Sequence, residues 1–324
     1  AVRAPRWGRQ FVVTVQESTA RMSLKIRLLL GAAVPFVFVL PAAAQVQITT
    51  ATTTPVSTAT ANNGAAANVE ITSAGSITLP AAAGSTGVTI NSNNTLTNSV
   101  TISVPGSDNS VGVRILPNLT ASYTASGNVT LLEEFTRPDT DNDGDLDGPV
   151  ASGTGRIGLL VEPGGTMTGS IITTSGGFTV EGNNSAGVAI RSALNGNYRQ
   201  RGAISVTGAN SVGLEMTQDV SGDVSIGGNT VVIGEGSVGA RILGDVAGEF
   251  AVDGGILATG FTTTDTRFSN YLLVPDAATS ARLRDADDLL TGGPALEIRG
   301  DLARGFLVNG NATGGVDPTA DVKD

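Results

Sequence analysis

Cysteine and histidine are both absent from the chain, and aromatic residues make up only 4% of it. Without histidine there is no imidazole general base, no Ser-His-Asp triad and no histidine-ligated zinc, and without cysteine there is no thiol nucleophile and no disulfide. Positive charge is also scarce, because 19 Lys and Arg stand against 29 Asp and Glu and the net charge is −10 at pH 7. These deficits exclude most familiar catalytic sites and argue against nucleic acid, or an anionic membrane surface, as a partner.

Glycine is abundant, and between residues 182 and 254 it recurs at a fixed step of 26 residues. Short alternating apolar runs separate these glycines, which we interpret as backbone corners of a packed fold rather than signs of disorder. The glycines that share the step are Gly187, Gly213 and Gly239; Gly196, Gly222 and Gly248; and Gly202, Gly228 and Gly254. The apolar residues with the same step are Ile190, Met216 and Ile242; Leu194, Val220 and Val246; and Val180, Val206 and Val232.

A unit of this size cannot bury its apolar face alone, so we expect it to stack on copies of itself as one coil of a solenoid. Helical repeats and propeller blades are longer, at roughly 33 residues or more, and the helical periodicity is absent. The sequence therefore predicts an all-β chain, a parallel β-helix with three short strands per coil and with Val206 and Met216 on inward ladders. The alternative is a β-sandwich, which has similar turn signals but no reason to keep one step through three copies.

The coil pattern extends beyond the regular blocks, over residues 68–324, and two insertions interrupt it. Its glycines continue backwards as Gly158, Gly112 and Gly87. One insertion is expected near 131–150 and a second near 261–291, where a short helix is predicted over 277–290. The pattern then returns with an offset of 56 residues. In this alignment Ala295, Ile298, Leu302, Phe306, Val308 and Gly310 match Gly239, Ile242, Val246, Phe250, Val252 and Gly254.

The N-terminal residues have the layout of an export signal. Residues 22–44 begin with Met22, carry a basic start and an apolar stretch, and end in small residues, which predicts a secretory signal-peptide helix cleaved after Ala44. A membrane anchor is the alternative, although the apolar run is shorter than the roughly 20 residues of a spanning helix and contains Pro35. We interpret residues 1–21 as upstream sequence translated in frame. Residues 45–67 are predicted to be a Thr- and Ala-rich linker or N-terminal cap, with at most a loosely paired first strand.

An acidic segment inside the first insertion carries the only candidate metal ligands, which are Asp139, Asp141, Asp143, Asp145 and Asp147. Acids at loop positions 1, 3, 5 and 9 with Gly144 at position 6 have the spacing with which a calcium loop surrounds one hard cation. Asp145 would contribute its backbone carbonyl, and position 12, usually a bidentate Glu, is Val150. The segment predicts a calcium site of weak, extracellular-range affinity, and a solvated acidic loop without a specific ion is the alternative.

The signal peptide, the glycine-punctuated coils, the absence of cysteine and the acidic balance together resemble the N-terminal passenger region of bacterial autotransporters. The stretches NSAGVAI, NSVGLEM and DLLTGGPALEI are similar to segments of alphaproteobacterial autotransporter-domain proteins, and the resemblance covers about residues 22–320. It implies export across the inner membrane, a right-handed β-helix outside the cell, and a C-terminal β-barrel as translocating partner. This sequence contains no barrel-like segments, so the reading frame is expected to continue past Asp324 with further coils and the barrel.

We therefore expect a secreted, surface-displayed stalk or adhesin-like passenger without catalytic residues. The alternative is a secreted β-helix enzyme acting on polysaccharide, in which carboxylates cluster along one face. In this chain Asp219, Asp223, Asp245 and Glu249 lie beside turn glycines, where a polar rim is expected for any solenoid. Carboxylates stacked in one groove over successive coils favour the enzyme, whereas a smooth surface with protruding loops favours the stalk.

Overall fold

The computed structural model describes residues 44–140, 146–260 and 290–314, which belong to one compact unit. These residues form short strands joined by turns, and none of them lies in a helix. Almost all of the strands belong to three long parallel sheets, here called A, B and C. The fold is therefore all-β, as predicted, and parallel pairing throughout the three sheets excludes the antiparallel β-sandwich.

Each coil contributes one strand to sheet A, then one to sheet B, then one to sheet C, except that the last coil is described only as far as its strand of sheet B. Sheet A consists of β1 (Gln45–Ile48), β4 (Asn68–Ile71), β7 (Leu96–Asn98), β10 (Tyr123–Ala125), β14 (Ile171–Thr173), β18 (Tyr198–Gln200), β21 (Val224–Ile226), β24 (Phe250–Val252) and β27 (Phe306–Val308), in that spatial order. Sheet B consists of β2 (Ala51–Thr52), β5 (Ser76–Thr78), β8 (Ile102–Ser103), β11 (Val129–Leu131), β15 (Phe178–Glu181), β19 (Ile204–Thr207), β22 (Thr230–Ile233), β25 (Gly255–Thr259) and β28 (Asn311–Thr313).

Sheet C consists of β3 (Val56–Ser57), β6 (Thr86–Ile90), β9 (Val111–Ile115), β12 (Ile157–Val161), β16 (Ala186–Ile190), β20 (Val212–Met216), β23 (Val238–Ile242) and β26 (Leu296–Ile298). A short fourth pair, β13 (Thr166–Thr168) and β17 (Ala193–Asn195), lies between sheets C and A along the chain. Because the strands of every sheet follow one another in coil order, the chain winds as a parallel β-helix.

The 26-residue step of the sequence is the pairing register of the sheets. Val206 pairs with Val180 on one side and with Val232 on the other, and all three side chains are fully buried. Met216 stands in the same relation to Ile190 and Ile242, which are also fully buried. Both predicted inward ladders are confirmed. Burying a side chain of this kind stabilises the fold by roughly 1.5–3 kcal/mol, so these ladders form the continuous core.

The alignment across the second insertion is also confirmed. Ile298 pairs with Ile242 and Phe306 with Phe250, as the offset of 56 residues predicts. The two phenylalanine rings lie with their centroids 5.2 Å apart. The helix predicted over 277–290 and the signal segment 22–44 fall almost wholly outside the described residues.

The solenoid begins earlier than the sequence pattern predicts. β1, β2 and β3 lie within the segment 45–67, and they pair with β4, β5 and β6. Val46 and Ile48 extend the inward ladder of Val69 and Ile71. The small polar residues that surround these two side chains conceal the coil in the sequence, because they leave too few apolar positions to show a period.

The first set of repeated glycines does not mark corners, contrary to our interpretation. Gly187, Gly213 and Gly239 lie inside β16, β20 and β23. A methyl group on Gly213 would lie 2.4 Å from the carbonyl oxygen of Gly239 and 2.4 Å from Cγ2 of Thr230. At these glycine positions of sheet C, the side chains of sheet B lie too close to leave room for any side chain. The other two sets lie in turns, as predicted.

The turn from sheet B to sheet C contains a left-handed residue in successive coils. The angle φ is 56° at Asn109, 72° at Gly155, 51° at Asn184, 55° at Asn210 and 66° at Gly236. Each of these residues stands two positions before a strand of sheet C. Asn and Gly tolerate this conformation best, which explains why the sequence alternates between only these two types here.

Both long connections emerge at this same corner between sheets B and C. The regular turns here span residues 182–185, 208–211 and 234–237. By contrast, the chain between β11 and β12 spans 132–156, and the chain between β25 and β26 spans 260–295. One edge of the solenoid therefore carries both interruptions of the repeat, and the other turns stay short.

Candidate functional site

The candidate calcium loop lies in the connection 132–156, at the corner between sheets B and C. Asp139 and Asp147 are among the described residues, whereas Asp141, Asp143 and Asp145 lie outside them. In the described part of the chain, no three carboxylate, histidine or cysteine side chains are grouped closely enough to hold a metal ion. The structure thus describes this candidate site only at its two ends.

Those two ends are joined by hydrogen bonds. The backbone N–H of Asp147 donates to the carbonyl of Pro138 over 2.7 Å, and the guanidinium of Arg137 donates to the carbonyl of Leu146. Thr140 donates both its backbone N–H and its hydroxyl to Oδ2 of Asp147. The acidic segment is therefore closed at its base, and one carboxylate oxygen of Asp147 already accepts two hydrogen bonds from within the loop.

A buried ion pair that the sequence analysis missed lies where this connection joins the solenoid. The Arg156 guanidinium donates through Nη1 to Oε2 of Glu133 over 3.1 Å, and the two side chains are only 3% and 6% exposed. Glu133 also accepts the backbone N–H of Ser152 at 2.8 Å and that of Gly153 at 2.7 Å. One carboxylate thereby joins the two ends of the connection.

The remaining donors of Arg156 reach neighbouring coils. Its Nε donates to the carbonyl of Ser107 over 2.9 Å, and Nη1 also donates to the carbonyl of Glu181. Nη2 lies 3.6 Å from Oδ1 of Asp108. A buried guanidinium is tolerable only when its charge and its N–H groups are compensated in this way. The sequence contains one indication of this site, because the turns before β6, β9, β16, β20 and β23 have Ser at the position that Arg156 occupies before β12.

A shallow groove runs along the edge between sheets C and A, and its floor is the buried ladder of Leu194, Val220 and Val246. Asp219, Asp245 and Asp301 stand in register along one side of it, each immediately before a floor position or its equivalent. Stacked strands are about 4.8 Å apart, so the backbone positions of neighbouring Asp residues in this row are separated by about that distance. This is the stacked arrangement that the enzyme alternative requires.

The carboxylates of this row also have a structural role. Oδ1 of Asp219 accepts the backbone N–H of Asp245 at 3.0 Å, and Oδ1 of Asp245 accepts that of Asp301 at 2.8 Å. Asp223 does the same for Glu249 at 3.0 Å. These bonds satisfy turn amides that would otherwise point to solvent, as the polar-rim interpretation predicts.

The two buried tyrosines do not supply an acid or base to any groove. Burial raises the pKa of both the Tyr123 and the Tyr198 hydroxyl well above the usual range for tyrosine. Both side chains point into the core of the solenoid, with exposures of 0% and 1%. They stay protonated at any physiological pH and have no contact with solvent.

Comparison of the chain with protein-family models, with curated proteins and with solved structures finds no match. No helix with the length and hydropathy of a membrane span occurs in the described ranges 44–140, 146–260 and 290–314.

Proposed function

We propose that this chain is a secreted, surface-displayed β-helical passenger of the autotransporter type, acting as a structural stalk or adhesin-like element. The observation that supports the proposal most is the single-edge placement of both long connections on an otherwise regular solenoid. A stack of parallel coils is an extended, rigid support, and long loops that branch from one edge are held on one face. Such loops are the natural place for contacts with an external surface.

Export is the second part of the proposal. β1 begins at Gln45, the residue that follows the proposed cleavage site after Ala44. Cleavage there leaves every strand of the described solenoid in the mature chain. The lack of cysteine also suits a chain that crosses a membrane unfolded and folds afterwards, because no disulfide can trap it on the way.

The partner in this proposal is an outer-membrane translocator barrel, and a display assay tests it. Residues 22–324 would be fused in frame to the barrel of an autotransporter in a Gram-negative host, with an epitope inserted at the exposed turn residues Glu235 and Gly236. We expect intact cells to bind the antibody and external protease to remove the epitope. Leu29→Arg, which interrupts the apolar signal stretch, is the control and should abolish display. An epitope that stays protected while the barrel inserts would contradict the proposal.

We further propose that the Asp139–Asp147 loop binds calcium weakly. Five carboxylates within nine residues repel one another, and a divalent cation would relieve that repulsion. The hydrogen bonds at Pro138 and Leu146 hold the two described ends of the segment together, which supports the proposal. Calcium at millimolar concentration should raise the melting temperature, and Asp141→Ala together with Asp143→Ala should remove the effect. Identical calorimetric traces with calcium and with chelator would leave only the solvated loop.

A polysaccharide-cleaving enzyme is the second candidate, because Asp219, Asp245 and Asp301 do line one groove. Substituting each by Asn removes the charge and, at Asp219 and Asp245, keeps the Oδ1 acceptor for the turn amide. Release of reducing ends from a panel of acidic and neutral polysaccharides, lost in Asp245→Asn at unchanged melting temperature, would establish the enzyme. The passenger proposal expects no release by either protein.

A further inference from the structure

One position in the turn between sheets B and C is a buried serine in coil after coil. Ser185, Ser211 and Ser237 occupy it, each directly before a strand of sheet C, and they are at most 3% exposed. The hydroxyl of Ser237 accepts the backbone N–H of Ser211, and that of Ser211 accepts the backbone N–H of Ser185, at 3.0 Å in both cases. This serine ladder links turn to turn along the corner.

Arg156 stands in the same position of the coil that carries the first long connection. It immediately precedes β12, and its backbone N–H donates to the hydroxyl of Ser185 over 3.0 Å, so the backbone continues the ladder. Its side chain, however, is long enough to reach groups that a serine hydroxyl in this position cannot reach. It extends to the carbonyls of Ser107 and Glu181, which belong to the coils on either side, and to the carboxylate of Glu133.

Gly153 is fitted against this guanidinium. A methyl group on Gly153 would lie 2.1 Å from Nη2 of Arg156 and 2.8 Å from Oε2 of Glu133. The backbone N–H of Gly153 at the same time donates to Glu133 over 2.7 Å. The returning end of the connection therefore lies directly on the ion pair and leaves no room for a side chain.

We propose that Arg156, Glu133 and Gly153 form a clamp that fixes the direction in which the connection 132–156 leaves the solenoid. Arg156 is a positioning residue, since it holds the carboxylate of Glu133 at the outgoing end of the connection. That carboxylate in turn binds the backbone N–H groups of Ser152 and Gly153 at the returning end. Removing one partner of a buried ion pair leaves the other charge uncompensated, so the clamp is held as a unit. The inference rests on the proposed function in that a displayed loop requires a fixed base.

Amide hydrogen exchange on the full chain tests the clamp, because it reports each segment separately. Arg156→Ser removes the guanidinium and introduces the residue type found at Ser185, Ser211 and Ser237. We expect amides of residues 133–140 and 146–154 to exchange on the order of tenfold faster, while amides of β20 and β23 keep their rates. Arg191→Ser, which removes a half-exposed ion pair with Glu215 on sheet C, is the matched control and should leave the connection unchanged.

Gly153→Ala is the second variant, because it keeps both charges and disturbs only the close approach. It should also accelerate exchange in the connection, by a smaller factor than Arg156→Ser. Unchanged exchange in both variants would overturn the proposal. Equal acceleration in the connection and in β20 would do so too, because it would mean that Arg156 supports the whole solenoid rather than this base. Neither readout depends on export or on calcium, so the clamp and the proposed function fail or stand separately.

Discussion

The hydroxyl of Tyr198 lies 3.3 Å from Oε1 of Gln200, two residues further along β18, and both side chains are buried inside the solenoid. Nε2 of Gln200 donates in turn to the carbonyl of Gly202 at 3.1 Å and to the hydroxyl of Thr230 at 3.2 Å. Polar groups in a core are stabilising when every member has a partner. Tyr198, Gln200 and Thr230 therefore form a hydrogen-bonded polar network within an otherwise apolar interior.

Tyr123 stands on the same inward column but without such a partner. Tyr123 and Tyr198 both pair with Ile171, and the residue two positions after Tyr123 is Ala125. The amide of Asn98 faces its hydroxyl and partly offsets the effect of burial on the pKa. The two groups do not meet in hydrogen-bond geometry, so neither the hydroxyl nor Nδ2 of Asn98 has a partner among the described residues.

The two tyrosines therefore predict different responses to loss of the hydroxyl. Tyr198→Phe leaves Oε1 of Gln200 buried without a donor and should lower the free energy of unfolding by about 1–3 kcal/mol. Tyr123→Phe removes a group that has no partner, and should change that free energy by less than about 0.5 kcal/mol or increase it. Urea unfolding measures both. Equal losses in the two variants would contradict the difference between the two sites.

The inward ladder at Val206 gives a sharper test of the core. Val206→Asp buries an unpaired carboxylate between Val180 and Val232 and should cost several kcal/mol, about 3 or more. Ser205→Asp is the control, because Ser205 is the neighbouring residue on the outer side of β19 and is partly exposed. It should cost less than about 1 kcal/mol. Thermal stability that is unchanged in Val206→Asp would refute the assigned ladder.

The left-handed corner predicts a requirement for backbone freedom rather than for a side chain. Asn210 has φ of 55° and an exposed side chain. Asn210→Val should lower stability by roughly 1–2 kcal/mol, because a β-branched residue is strained in this conformation. Asn210→Gly should be close to neutral, since Gly236 occupies the same position one coil later. Equal effects of the two substitutions on the urea midpoint would contradict this account.

The ion pairs on the outer face of sheet C predict loss of stability in acid. Oε2 of Glu297 accepts a hydrogen bond from Arg241 over 2.8 Å, and this bond, with Arg299 nearby, lowers the pKa of Glu297 below its usual range. A lowered pKa in the folded state contributes stability at neutral pH that is lost as the pH falls through that value. Glu297→Gln should therefore lose less stability than the parent between pH 7 and pH 3. A parallel decline of the two melting temperatures would contradict this assignment.

The repeat was predictable because it depends on side chains that every coil must supply. Val180, Val206 and Val232 share one environment, so the same residue type recurs with the pairing register. The match of Phe306 to Phe250 across the second insertion was predictable for the same reason, since a ladder continues whatever length of chain loops out between its members.

The rest could not be predicted from periodicity alone. The first coil has only three large aliphatic residues, Val46, Ile48 and Val56, and these are too few for a pattern. Glycine is required at Gly213 because two sheets approach closely there, and at Gly236 because φ is positive. The sequence alone does not distinguish these two reasons for a glycine. The Arg156–Glu133 clamp joins positions 23 residues apart, within a segment that has no repeat to align it.

The N-terminal sequence of the exported protein tests the central claim, that this solenoid is a secreted passenger, most directly. The chain would be expressed from Met22 in a Gram-negative host, and the product recovered outside the cytoplasm would be sequenced from its N-terminus. The account predicts that this product begins at Gln45, the first residue of β1, with residues 22–44 removed. An exported product that retains residues 22–44, or a chain that stays uncleaved in the cytoplasm, would contradict it.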